Sequence, residues 1–438
     1  MTDSALSSQP LWWEDAGAPE APAEAPLPAE ADAVIVGAGL TGLSAARELA
    51  RAGRAVVVIE AGAPGIGASS RNGGMVGGGH RLSSSELEAR FGPEAAIGML
   101  RETHIDSLDY VLRLIAEEGI DCDLQRTGRF RGLHAPHLLD AAQREIGRLQ
   151  DLIGLEAHTL GAVEQQAHVS SKLYYGGAVY PRHHALNPAK YLRGLLAAAQ
   201  RAGAEVHGNT PVTGVRRAQG GGFAVATARG TVRARDVLMA TNGYTPGFAG
   251  ALRRRIIPVP SFIIATEPLG ANRVRALFPT GACIVESRDR HCYFRPSPDG
   301  ARIVFGGRAA MIPIGPEAAK RELSRLMEEV FPQLGPVAIT HSWRGFTGFS
   351  FDFLPAVGQI DGVWHAMGYS GSGNAMAPWL GRQAAQGILG EDAGAFAHAS
   401  LSPRWWNRGR IGGMTPWYMP AVDAKFRGRD VMLRYRGG

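Results

Sequence analysis

The first residues whose spacing suits chemistry are the three glycines of Gly37-Ala38-Gly39-Leu40-Thr41-Gly42. They follow the apolar run Ala33-Val34-Ile35-Val36 and open an Ala/Leu-rich segment, Leu43 to Ala52. A strand that turns through glycines into a helix aims backbone N–H groups at a negative ligand. Gly37 allows the tight turn, Gly39 the approach of a pyrophosphate, and Gly42 with Ala46 close helix–strand packing. Glu60, followed by Ala61, ends a second apolar run, Val56-Val57-Val58-Ile59. A carboxylate about 20 residues after the glycines accepts hydrogen bonds from ribose hydroxyls and disfavours a 2′-phosphate. Together these residues read as a dinucleotide site.

Three further segments bear on which dinucleotide. Residues 65–79, GIGASSRNGGMVGGG, form a second Gly-rich loop. Ser69 and Ser70 can donate to phosphate, Arg71 adds charge beside Asn72, and Gly73 and Gly74 let backbone lie against a flat ring. The plain alternative is a surface loop. Val237 to Gly243 is a buried strand running into Ala240-Thr241-Asn242-Gly243, alone an ordinary strand-turn, of a kind often found beside the adenine end of FAD. Trp364 to Asn374 leads a Gly-rich turn, Gly371-Ser372-Gly373, into a helix whose N-terminus suits a second negative group. One cofactor touched from four remote segments points to FAD rather than NAD.

These segments resemble the D-amino-acid oxidase and glycine oxidase family of flavoproteins, most closely its gamma-glutamylputrescine oxidase branch. The resemblance spans about residues 30–390. It rests on GASSRNGG (67–74), ATNGY (240–244), RRRIIPVPSFIIATEPL (253–269), YFRPSPDGARIVFGGR (293–308), SFDFLPAVG (350–358) and GYSGSGN (368–374). It implies a mixed α/β fold: a Rossmann-like FAD-binding domain with a substrate domain built on an antiparallel sheet. It adds Val212 and Gly345 to the cofactor contacts. The implied reaction is oxidation of a C–N bond in a small amine or amino acid to an imine, which water hydrolyses, with dioxygen or another acceptor. Relatives often read GYSGHGV where this chain has Ser372 and Asn374, so its substrate need not be theirs. Segment 341–358 holds no cysteine, and His80 lies beyond the usual histidine position, so FAD is expected to be non-covalent.

Candidate catalytic residues follow from strand periodicity. Tyr293 and Arg295, at i and i+2, share one strand face. Arg295 is expected to pair with a substrate carboxylate and Tyr293 to hydrogen-bond it; the alternative is a pair on the sheet surface. Tyr369 and Asn374 flank the last Gly-rich turn and are expected at flavin or substrate, or as packing at the helix start. His291 shares the face of Tyr293 and is a weaker candidate. The adjacent His183 and His184 point to opposite faces and are read as structural. None of the four lysines lies in a Gly-rich loop, so either an arginine assists dioxygen or dioxygen is not the main acceptor. A 2-hydroxy-acid dehydrogenase or a flavin-binding subunit without turnover would share this fold.

The elements that must position these residues are legible from pattern. Helices are expected over 86–118, 137–153, 188–202 and 317–331, and strands over 172–182, 206–239 and 256–310, with a hairpin at Pro298-Asp299-Gly300. The expected division is a flexible arm at 1–30, FAD-binding segments 31–80, 175–245 and 335–395, substrate segments 81–174 and 246–334, and a tail at 396–438. Residues 14–31 read as an extended Pro/Ala/Glu linker, with Trp12 and Trp13 docking on the body. The tail, rich in Arg and Trp, is expected to pack on the protein surface rather than to dock on a membrane or partner. The net charge of +6 comes almost wholly from dispersed arginine, which argues against nucleic acid. Three scattered cysteines and no CxxC pair argue against zinc or disulfides and fit a cytoplasmic protein. No apolar stretch approaches membrane-spanning length.

Overall fold

The computed structural model describes residues 6–288 and 291–435. Two sheets organise it. The first runs, by neighbour, Ala356–Ile360, Val363–Met367, Gly230–Met239, Glu30–Val36, Val56–Ile59 and Glu205–His207, with a hairpin of Val212–Arg217 and Phe223–Thr227 added to Gly230–Met239. The four pairings from Val363–Met367 to Glu205–His207 are parallel. Val34 to Val36 and Val56 to Ile59 are buried on both faces, as parallel strands covered by helices must be. Helices Leu40–Arg51 and Gly373–Leu389 pack against each other through glycine: a Cβ at Gly381 would sit 2.3 Å from the carbonyl oxygen of Thr41.

The second sheet runs Ile339–Ser350, Ile256–Thr266, Ile303–Gly307, Cys292–Pro296, Cys283–Glu286, Arg129–Gly132, Gly176–Tyr180 and His158–Gly161. It is antiparallel except where Cys283–Glu286 pairs with Arg129–Gly132. Two segments expected in the FAD-binding part therefore belong here. Ile339–Ser350 pairs along the full length of Ile256–Thr266, and Gly176–Tyr180 pairs with Arg129–Gly132, because each finds its backbone partners in this sheet. The remaining elements match their periodicity closely: helices His137–Ile153, Pro188–Arg201 and Pro316–Val330, and the turn at Gly300, whose φ is +69°. The expected 86–118 helix is broken at Gly92, whose φ is +81°, and beyond it contains a π-helical turn, Glu102–Asp106, which puts His104 against the space between the sheets.

The N-terminal arm is not a free linker where it carries the tryptophans. Trp12–Ala16 is a short helix, and Trp12 is 1% exposed. The Trp12 indole N–H donates to the Asn72 carbonyl at 2.7 Å, and Trp13 donates to Ser70 Oγ at 3.3 Å. Trp12 meets Trp343 edge-on, and Trp343 in turn donates to the Arg71 carbonyl at 2.8 Å. Burial of two large apolar rings with both N–H groups satisfied outweighs the entropy of ordering so short a segment. The tail also has a defined place. Helix Met419–Tyr435 lays Met419 on Val259 and Phe349, while Asp423 accepts from the Met311 amide at 2.6 Å. No helix among the described residues is long and apolar enough to cross a membrane.

Trp12→Ala should destabilise the protein by about 3–5 kcal/mol through cavity formation and loss of the indole donor. A lowered unfolding temperature is the expected reading; an unchanged one would mean that the arm contributes nothing to the fold.

Candidate active site

A cleft of about 1610 Å³ runs between the two sheets. Ligand pockets for small molecules usually hold about 300–1,000 Å³, so this one has room for a dinucleotide and a substrate together.

One end is built by the first sheet. Gly37 has φ +108°, and Gly39 leaves no room for a side chain: a Cβ there would lie 2.9 Å from Ser69 Oγ. Helix Leu40–Arg51 starts without a side-chain cap, and the Leu40 amide is met by Ser69 Oγ at 3.2 Å. Glu60 accepts from the Ala38 amide at 2.8 Å and the Gly62 amide at 3.2 Å, which fixes its carboxylate in the wall. Leu40, Thr41, Ala61, Val212, Thr241 and Asn242 line the same end. Thr41 meets the Tyr369 hydroxyl at 2.6 Å, and Tyr369 donates onward to the Ala366 carbonyl, so this phenol is a buried brace. Asn242, in the left-handed region at φ +41°, accepts from the Gly368 amide at 3.0 Å.

The loop Ser69 to Met75 crosses the middle of the cleft. Ser69, Arg71, Asn72, Gly73, Gly345 and the turn Gly371-Ser372-Gly373 line it there. Asn374 ties the loop down: its Nδ2 donates to Asn72 Oδ1 at 2.8 Å and to the Met75 carbonyl at 3.0 Å. Its Oδ1 is buried in the cleft wall without a partner among the described residues. A buried acceptor left over in this way suits an N–H of a flat polar ring. The glycine cradle, the fixed carboxylate of Glu60 and this orphaned oxygen together fit FAD.

Four residues expected to touch the cofactor stand back from the cleft. Ser70 is fully buried, donates to the Gly65 carbonyl and receives Trp13. Gly74 offers its carbonyl to Arg295. Gly42 packs on the Gly37 carbonyl, where a Cβ would clash at 1.9 Å, and Gly243 packs on Phe346 and Gly348. They shape the site from behind its lining.

Arg295 requires the largest correction. It shares a face with Tyr293, but it is 1% exposed and does not line the cleft. Its guanidinium donates to the carbonyls of Gly74 (2.8 Å), Leu186 (3.0 Å) and Pro296 (3.0 Å) and lies 5.5 Å from the Trp12 ring centroid. The helix carrying Trp12 covers that end of the face, so Arg295 staples the loop rather than binding a ligand. Tyr293 does line the cleft, its hydroxyl 2.9 Å from Ser261 Oγ, its ring seated where Gly306 and Gly73 lack side chains. Burial pushes its pKa up to about 12, so it is a neutral hydrogen-bonding group. His183 is buried and stacked on Tyr180, and His184 holds the Arg182 carbonyl; both are structural.

Reading the sequence missed Arg308. It is 9% exposed, lines the cleft near Tyr293 and lies 4.8 Å from the Phe349 ring centroid. Burial, then Arg81, lowers its pKa to about 10. The Gly306-Gly307-Arg308 run leaves a strand end, which alone gave no signal. Arg81, His291 and the tail residues Met419, Val422 and Phe426 complete this end.

The family model described as FAD dependent oxidoreductase matches residues 32–387. The chain belongs to that family. It is 32% identical over 383 residues to a probable oxidoreductase OrdL of Rhizobium meliloti, covering 86% of this chain and 88% of the relative. It is 29% identical over 373 residues to gamma-glutamylputrescine oxidoreductase of Escherichia coli, covering 84% and 86%. The fold matches glycine oxidase from Geobacillus kaustophilus with a TM-score of 0.70 at 21% identity, over 88% of this chain and all of that one. This family member is thus an FAD-dependent oxidoreductase, and the expected fold class stands.

Gly42→Ala should yield protein that retains little flavin, because the new methyl would sit 1.9 Å from the Gly37 carbonyl oxygen, which cannot move aside cheaply. Gly147→Ala, in an open helix position with nothing within 4 Å, should retain full flavin and gain up to about 1 kcal/mol. Flavin absorbance per mole of purified chain distinguishes the two; normal flavin content in Gly42→Ala would contradict the assigned cradle.

Proposed function

We propose that this oxidoreductase oxidises the C–N bond of a small amine or amino acid to an imine, which water then hydrolyses to a carbonyl compound and an amine. The observation that carries the reading is the joining of the dinucleotide cradle to a basic, aromatic end of one cleft, where Tyr293 and Arg308 face a space too large for the cofactor alone. FAD, when bound, supplies the acceptor for the hydride that leaves the substrate carbon.

The protein's part is positioning. Arg308 pairs with an anionic or carbonyl oxygen of the substrate, and Tyr293 donates to it while Ser261 fixes the phenol. Phe349 and Met419 exclude water on the side of the tail helix, which favours the neutral amine that can release hydride. Tyr293 keeps its proton over the working pH range and does not act as base. In this reading the four cofactor segments hold FAD non-covalently, supported by the lack of a cysteine among the described cleft-lining residues and by the His80 ring meeting the Met99 carbonyl at 3.2 Å. Dioxygen is the acceptor, leaving as hydrogen peroxide. The relatives' printed activities, on gamma-glutamylputrescine and on glycine, support an amine substrate.

Anaerobic addition of amines, D-amino acids and N-methyl amino acids should bleach the visible absorbance of the bound flavin with at least one member. Bleaching only by 2-hydroxy acids would replace the C–N reading with a C–O one. Arg308→Gln should raise KM for a carboxylate-bearing substrate by about 10–100-fold, the worth of a charge-assisted hydrogen bond. Tyr293→Phe should cost less, about tenfold or under, and leave the pH profile in place.

A further inference from the structure

The substrate end of the cleft continues past Tyr293 along one strand. Ile257, Val259, Ser261 and Ile263 share one face of the strand Ile256–Thr266, and all four line the cleft. Ser261 holds the Tyr293 hydroxyl. At about 3.3 Å per residue, Val259 lies about 7 Å beyond Ser261, and Ile257 about 13 Å beyond it. Ile257 pairs with Phe349 on the neighbouring strand. The Arg308 and Arg81 guanidiniums lie 4.8 and 5.2 Å from the Phe349 ring centroid. Phe349 thus marks the border between the basic part of the cleft and an apolar stretch.

The other side of that stretch comes from the tail. Met419, Val422 and Phe426 stand at i, i+3 and i+7 of the helix Met419–Tyr435, on one face, and all three line the cleft. Met419 is buried in a cluster with Val259 and Phe349, and Val422 packs against that cluster. Val422 and Phe426 are themselves only partly buried, so apolar surface on each is left uncovered. The helix is fastened near its start. Asp423 accepts from the Met311 amide, and the Tyr418 hydroxyl donates to Asn407 Oδ1 at 3.2 Å. This segment lies beyond the residues that the family match covers, outside the part that builds the cofactor cradle.

Ile257, Val259, Phe349, Met419, Val422 and Phe426 carry no charge and no N–H or O–H donor on their side chains. A charged or strongly polar substituent laid against them would lose its water with no partner in exchange. An apolar one would gain about fourfold in affinity for each methylene covered. We infer that the tail helix is the specificity wall of this cleft: Val422 and Phe426 select a substrate whose non-reacting part is an apolar substituent, and they limit its length. This deepens the proposed amine oxidation and rests on it for the reacting end, where Arg308 holds an acid or carbonyl oxygen.

The wall can be read without turnover. The flavin-loaded protein would be titrated with acetate, butyrate, hexanoate and octanoate, and with the matching uncharged amides, by flavin absorbance and calorimetry. In both series affinity should rise about fourfold per methylene until the chain outgrows the wall. A terminal hydroxyl should count against binding, with 6-hydroxyhexanoate about tenfold or more weaker than hexanoate. Val422→Phe should move the levelling-off to a shorter chain and leave acetate unchanged. Val422→Asp should weaken hexanoate about tenfold or more, again without effect on acetate. Ala424→Gln, at an exposed position on another face of the same helix, should leave every member unchanged. Affinity independent of length in both series, no binding by any member, or a Val422→Phe effect equal on acetate and hexanoate would overturn the inference. If the length dependence is present and moved by Val422→Phe while no amine bleaches the flavin, the wall stands and the proposed amine chemistry falls. If amines bleach the flavin whatever their substituent and neither series depends on length, the chemistry stands and the wall falls.

Discussion

The whole molecule is arranged around holding the carbonyl oxygens of one short loop. Between Ser69 and Met75 the chain has almost no regular structure of its own, and it crosses the cleft without collapsing into it. Its acceptors are taken by donors from four remote places: the Trp12 indole at Asn72, the Trp343 indole at Arg71, the Arg295 guanidinium at Gly74 and the Asn374 amide at Met75. Each is a buried polar contact that costs more to break than it gains in isolation, since the partner left behind has no water to turn to. The loop is rigid because its surroundings specify it. The two sheets are joined through it: Trp343 and Arg295 come from the antiparallel sheet, Asn374 from the helix that covers the parallel one.

That arrangement explains how charge is distributed. Arg295 and Arg308 are close in sequence and both buried, yet they have different work. Arg295 gives its Nε and one Nη to backbone carbonyls beneath a tryptophan, while Arg308, beyond the next strand, faces the cleft. The boundary between them is set by how far the helix carrying Trp12 reaches across the sheet. What lies under the indole is scaffold; what lies beyond it meets ligand.

Much of this was legible in the sequence wherever the signal was local. Gly37, Gly39 and Glu60 announce their roles because a βαβ turn has few ways to form, and Ala33–Val36 and Val56–Ile59 are apolar without alternation because both faces are buried. Arg295 was misassigned because period-two alternation identifies a face but not how far along that face a ligand extends. The docking of Trp12 and Trp13 was expected, but its surface was not readable, since the partners lie near residues 70 and 343. The tail helix was expected to rest on the surface, and its packing on Phe349 depends on a sheet completed only in the folded chain. The π-helical turn shows in the apolar spacing only as one five-residue step, Leu100 to Ile105, among steps of three and four.

The Trp12–Trp343 contact also orders events during synthesis. The first tryptophan leaves the ribosome early, but the strand that carries its partner, Ile339–Ser350, emerges only when most of the chain has been made. Until then the glycine-rich loop lacks its covering rings, however well the first βαβ unit has formed. The cover over that loop is thereby one of the last parts of the cleft whose residues are all available to fold.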